Sequence, residues 1–209
     1  MLIHNLSQIL GWAYVFFLTV TNLKDSKGDL FLNHYREVKD FRMYLELFQT
    51  LQVLDVVFSI LRLTNNSVMA TLPQYISRIF VVHGIFPYVK EPEGQFSIII
   101  CVLMWSIIEV IRFSFYTIKQ FPKLAESKLS VILGHVRYNT FIPVYPTGVT
   151  GELLAVYYAY QNIHGTTDKP FTVRMPNKWN FAFEYEYFLI IVPLVYLVEF
   201  PKLYMHMFR

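Results

Sequence analysis

One apolar stretch of the chain holds two side chains suited to moving protons. In FIPVYPTGVTGELLAVYYAY, residues 141–160, Tyr145 and Glu152 stand seven positions apart. Two helical turns bring such a pair to the same face, about 10 Å apart along the axis. A phenol and a carboxyl sharing a face are the ingredients of general acid–base chemistry. Gly148 lies between them and Gly151 is one turn round. The missing side chains leave room for a ligand between the two groups. They would equally admit a neighbouring helix, with Tyr145 as a packing residue. Spacing alone leaves both readings open.

Other ionisable groups recur at helical spacing in apolar surroundings. Trp105, Glu109, Arg112 and Tyr116 fall on one face, with Glu109 and Arg112 placed to pair. Gln74 and Arg78 share a second face beside Ser77, and Gln49, Gln52, Asp55, Ser59 and Arg62 form a third stripe. Lipid satisfies none of these groups, so all three stripes are expected to face the interior of a bundle. For the 49–62 stripe we favour a purely structural role, holding helices together. Glu109 with Arg112 could do the same or support chemistry directly.

Several chemistries lack their residues. The six histidines (His4, His34, His83, His135, His164 and His206) show no HxxxH or HExxH spacing, which argues against a metalloprotease or a histidine-clustered di-iron enzyme. His83 reads as a hydrogen-bonded core residue rather than a ligand. Cys101 is the lone cysteine, so there is no internal disulfide and no thiolate cage. No phosphate-cradling glycine loop is present, and no metal or cofactor is called for.

The elements that position these residues follow from composition. The 209 residues are 55% hydrophobic and 16% charged, with a mean hydropathy of +0.38. A soluble domain carries about 25% charge, and this chain has too little polar material to cover a surface facing water. A net charge of +3 also lacks the concentrated basic face that nucleic acid needs. Crossing a bilayer takes about 20 mostly apolar residues. Six windows approach that length, at 6–23, 44–63, 68–90, 96–118, 139–160 and 183–207. The first could pass for a signal peptide, but it has no basic leading region, and further apolar spans follow. The expectation is one domain, residues 1–209, an all-α six-transmembrane-helix bundle.

At this point the residues carry a resemblance. The chain resembles the very-long-chain 3-hydroxyacyl-CoA dehydratase family, once named protein tyrosine phosphatase-like. The matching stretches are N-x-x-Q-x-x-G-W at Asn5, Gln8, Gly11 and Trp12, and Q-x-x-S-R at Gln74, Ser77 and Arg78. They continue with W-S-x-x-E-x-x-R at Trp105, Ser106, Glu109 and Arg112. The most specific is R-Y-N-T-F-x-x-x-Y-P-x-G-x-x-G-E, running from Arg137 through Tyr145, Pro146 and Gly148 to Gly151 and Glu152. Three positions depart from the family pattern: His83 stands where a tryptophan is usual, Asp55 where many members have glutamate, and the sequence ends MHMFR rather than in a dilysine tail.

The resemblance implies an endoplasmic reticulum enzyme of six spans with both termini cytosolic. It implies dehydration of a 3-hydroxyacyl-CoA to the trans-2-enoyl-CoA, the third step of each fatty acid elongation cycle, alongside the elongase and the ketoacyl and enoyl reductases. Tyr145 and Glu152 would be the catalytic pair. Gly148, Glu109, Arg112, Arg78, Gln74 and Arg137 would be supporting or substrate-binding residues. Arg112 or Arg137 could bind the CoA phosphates, although Arg112 could instead serve only its ion pair. A free Glu titrates near pH 4.3 and a free Tyr near 10, so the default assigns Glu152 as base and Tyr145 as proton donor. Burial could invert those roles. Two rivals remain: a non-catalytic scaffold of the elongation machinery with the same fold, which intact Tyr145 and Glu152 argue against, and a transporter or channel.

Charge alone leans the other way on orientation. Six spans put both ends on one side with the 64–67 and 119–138 loops, a side holding Lys119, Lys123, Lys128, Arg137, Lys202 and Arg209. The opposite side holds Lys24, Lys27, Arg36, Lys39, Arg42, Lys90, Lys169, Arg174 and Lys178. That margin is small, because the 24–43 loop also carries four acids.

Overall fold

A helix satisfies its backbone polar groups internally, which is what lipid demands of a chain this apolar. The computed structural model describes residues 1–21, 39–64, 67–89, 92–166 and 169–206. Helix α1 is Leu2–Thr21. Helix α2 (Lys39–Leu51) runs on past Gln52 into α3 (Val53–Ile60). Helix α4 (Val68–Phe80) passes into a π-helical turn at Val81–Ile85 and a 3₁₀ turn at Phe86–Tyr88. Helix α5 is Pro92–Lys119, α6 (Pro122–Ala125) is a single turn, α7 is Lys128–Ile163 and α8 is Tyr185–His206. Among the described residues there is no strand, only an isolated antiparallel bridge between Val173 and Phe183.

Among the described residues, four stretches are long and apolar enough to cross a membrane: Leu2–Thr21, Asp40–Ile60, Gly94–Lys119 and Tyr185–Met205. The windows at 68–90 and 139–160 fall outside that set, although Val68–Tyr88 and all of the second are helical. In the first, regular α-helix gives way after Phe80. In the second, prolines, glycines and polar groups dilute the apolar run. Helix α7 also begins well before the expected 139, taking in residues assigned to the 119–138 loop.

The helices run antiparallel in succession. His4 meets Asp55 and Tyr14 meets Tyr44. Arg78 meets Glu109, while Val89 meets Gln95. Tyr116 meets Arg137 and Trp105 meets Glu152, then Glu152 meets Tyr196 and Ile142 meets Tyr204. The first turn of α1 and the last turns of α8 therefore lie at one end, with α6. At the other end Lys169 pairs with Glu184 and Glu186, and His164 also reaches Glu186. The hydrogen bond to Glu186 holds the Lys169 ammonium above the usual lysine range.

Helix α5 is the hub, packed against α1 and α7 and reached from α4 by the Arg78 side chain. Its contact with α7 depends on glycine. A Cβ on Gly151 would stand 2.9 Å from Cys101 Sγ and 3.1 Å from the Cys101 backbone nitrogen, so helix α5 fills the space beside it. Gly148 is looser, its nearest neighbour being the Met104 Cβ at 3.5 Å. Pro143 and Pro146 lie inside α7 without ending it. Pro146 cannot donate to the Ile142 carbonyl one turn back, and the Tyr204 hydroxyl of α8 donates there instead, at 3.0 Å.

Two expectations about single residues are corrected. Arg62 does not continue the buried stripe of Gln49, Gln52, Asp55 and Ser59; it lies past the end of α3 with φ 54° and is exposed. His83 is exposed on the π-helical turn rather than in the core, because the extra residue per turn rotates the helix face at that point. Lys24, Lys27, His34, Arg36, Asn65, Asn66, Lys90 and Arg209 lie outside the described residues.

Candidate active site

Apolar packing alone would not hold so many ionisable groups inside a bundle; each needs a partner. The Glu109 carboxylate on α5 is 1% exposed. It takes Arg78 of α4 on one oxygen and Arg112, one turn along its own helix, on the other at 2.7 Å. The pair expected at i,i+3 is therefore present, but it is part of a longer chain. Arg112 also donates to Asp55 of α3 at 3.0 Å, and Asp55 meets His4 Nε2 of α1 at 2.9 Å. Four helices are joined by charge. Gln52, Asp55, Gln74, Arg78, Glu109 and Arg112 line a cleft along this chain, so Gln74 and Arg78 share a face as their spacing predicts.

Arg78 also connects this network to Glu152. Its guanidinium carbon lies 5.2 Å from the centroid of the Trp105 ring. The Trp105 indole N–H donates to Glu152 Oε1 at 2.9 Å, and the Tyr196 hydroxyl of α8 donates to Oε2 at 2.6 Å. Glu152 itself is 8% exposed. A carboxylate held on both oxygens by donors from two different helices is fixed in its plane, and each oxygen keeps a lone pair for a further proton.

Tyr145 is half-buried on the same helix, with its ring edge-on to Phe141 at 6.2 Å. Its hydroxyl makes no hydrogen bond among the described residues. Tyr145 and Glu152 are thus not bonded to each other: the carboxylate is held by two donors and the phenol, two turns away, holds no hydrogen bond among the described residues. Arg137 is stacked 4.8 Å over the Tyr116 ring and donates to its hydroxyl at 3.1 Å. That uses one of the five N–H groups of its guanidinium. Arg112, by contrast, is committed to two carboxylates.

Tyr196 was not singled out by the sequence. A tyrosine in the otherwise aliphatic IIVPLVYLV is the one signal that could have marked it. Among the described residues, no group of three or more His, Cys, Asp or Glu is arranged to hold a metal ion.

Residues 49–209 match the family model described as protein tyrosine phosphatase-like protein, PTPLA. The chain is 34% identical over 206 residues to very-long-chain (3R)-3-hydroxyacyl-CoA dehydratase 1 of Mus musculus, an alignment covering 99% of this chain and 69% of that one. It is 34% identical over 207 residues to dehydratase 2 of the same organism, covering 99% and 77%. To the dehydratase PASTICCINO 2 of Arabidopsis thaliana it is 35% identical over 208 residues, covering 98% and 87%. No solved structure matches the chain.

Proposed function

Since the chain belongs to the protein tyrosine phosphatase-like family, we propose that it spans the membrane six times and dehydrates very-long-chain (3R)-3-hydroxyacyl-CoA with Tyr145 and Glu152. It is a 3-hydroxyacyl-CoA dehydratase, a hydro-lyase of fatty acid elongation. One observation supports the pair above all. A buried carboxylate is held by two donors, and a phenol with no hydrogen bond among the described residues lies two helical turns away on the same helix.

The reaction removes a proton from C2, beside the thioester carbonyl, and hydroxide from C3. Glu152 takes the C2 proton, and enolate charge develops on the thioester oxygen. The C3–O bond breaks as Tyr145 delivers its phenolic proton, releasing water and leaving the C2=C3 double bond. Water then carries a proton away from Glu152 and one to the phenolate, restoring both groups, so the enzyme is unchanged and no cofactor takes part. Gly148 lies between the pair and gives the substrate backbone to pass rather than a side chain.

The remaining residues divide by their partners. Glu109, Arg112 and Arg78 hold the helices in register, and Arg78 with Gln74 borders the cleft beside Trp105. Arg137 suits the CoA phosphates better than Arg112 does, because most of its donors are uncommitted. It lies toward the end that carries the first turn of α1 and the last turns of α8, which would be the cytosolic end of a protein in the endoplasmic reticulum membrane. Acyl-CoA would arrive there from the elongase and ketoacyl reductase, and the enoyl product would leave for the enoyl reductase.

The test is direct. Detergent-purified protein incubated with a very-long-chain 3-hydroxyacyl-CoA should yield the trans-2-enoyl-CoA and one water per turnover. A monodisperse preparation that yields none would leave a non-catalytic scaffold of the elongation machinery.

A further inference from the structure

Helix α8 is a peripheral helix with one inward stripe, and that stripe ends in a phenol. Tyr185, Leu189 and Val192 are buried, and Tyr196 follows at the next helical position. On the other side Ile190, Leu194, Val195, Leu197 and Val198 are exposed, as lipid contact requires. A phenol on such a stripe needs an acceptor in lipid. Among the described residues its hydroxyl has one, Glu152 Oε2 at 2.6 Å. The other oxygen of the same carboxylate is taken by Trp105 from α5. A Glu side chain has three rotatable bonds, so a base on α7 alone would sample many directions. Donors arriving from α5 and α8 together leave one.

We infer that Tyr196 is a positioning residue for dehydration: its hydroxyl holds the Glu152 carboxylate in the orientation that receives the substrate C2 proton. This rests on the assignment of Glu152 as the base. Helix α8 is then part of the catalytic machinery and not only a lipid-facing wall. Tyr196 does not itself touch the reacting atoms, and any donor at that point would serve.

Five variants of the full chain, purified in detergent, test it with a very-long-chain 3-hydroxyacyl-CoA. Tyr196→Phe should lower kcat about 10- to 100-fold, the value of one hydrogen bond to a charged group, with KM within about twofold. Placing 4-aminophenylalanine at position 196 keeps a donor on a ring of the same shape and should restore most of that kcat. Tyr204→Phe removes another α8-to-α7 hydrogen bond, the one to the Ile142 carbonyl, and should leave kcat unchanged. In a Glu152→Gln background, adding Tyr196→Phe should change the residual rate by less than about twofold. Wild-type kcat in Tyr196→Phe would overturn the inference. So would an equal loss in Tyr204→Phe, or a folded amino variant as slow as Tyr196→Phe. Full activity in Glu152→Gln alone would instead remove the base assignment on which the inference rests.

Discussion

Trp105 and Glu152 meet through a 2.9 Å hydrogen bond from the indole N–H to the carboxylate, joining α5 to α7 at the centre of the bundle. The same indole lies under the Arg78 guanidinium, which pairs with Glu109. A continuous polar chain therefore runs from His4 on α1 through Asp55, Arg112, Glu109, Arg78 and Trp105 to Glu152 and Tyr196 on α8. The proposed base is tied to the ion pairs that hold the helices in register, so fold and chemistry share residues.

Tyr145→Phe and Glu152→Gln each remove one functional group with little change of volume. Both variants should insert, fold and bind substrate, while dehydration falls by at least about 10²-fold, the lower range for a general acid or base. The double variant should be little worse than the poorer single one, because the two groups act in one reaction. Turnover near normal in either folded single variant removes that residue from the mechanism.

Removing one partner of a buried ion pair typically costs about 3–5 kcal/mol, because the other charge is stranded. Glu109→Ala strands the Arg78 guanidinium and leaves Arg112 with Asp55 alone. Arg112→Ala leaves Glu109 still paired with Arg78 and Asp55 still in contact with His4. Folded yield and thermal midpoint in detergent should therefore drop further for Glu109→Ala than for Arg112→Ala. If Arg112→Ala folded normally and raised only KM for acyl-CoA, Arg112 would bind phosphate rather than hold the network.

The two glycines of α7 should separate in their tolerance. At Gly151 a methyl group meets the Cys101 backbone at 3.1 Å, which can yield only if the helices part. Gly151→Ala should cost about 1–3 kcal/mol, the usual range for overpacking. At Gly148 the nearest atom is 3.5 Å away, an ordinary contact, so Gly148→Ala should keep its thermal midpoint. If Gly148→Ala keeps that midpoint yet loses dehydratase activity, room for substrate is the reason this position is glycine.

Orientation is open to a glycosylation scan. The first turn of α1 and the last turns of α8 lie at one end of the bundle, and the proposal puts that end in the cytosol. A sequon tag carried well clear of the bilayer after residue 209 should stay unmodified in microsomes, and so should Asn5, which is buried within α1. A glycan on the tag would reverse the topology and move Arg137 to the lumen, away from cytosolic acyl-CoA.

Much of this protein is visible in one dimension. Apolar length marks α1, α5 and α8 because a bilayer has a set thickness. Helical spacing alone puts Glu109 beside Arg112 and Gln74 on the face of Arg78, since neighbours three or four apart always share a face. Such regularities fail where the backbone departs from the α-helix. The π-helical turn carries His83 outward, and the end of α3 takes Arg62 out of its stripe. The other partnerships needed three dimensions. Nothing local says that Arg78 reaches Glu109, that Asp55 closes on Arg112, or that Trp105 and Tyr196 divide the oxygens of Glu152. Those pairings depend on the rotation and register of whole helices. In lipid these are set by how closely backbones approach, as α5 does over Gly151, and by which buried polar groups find one another.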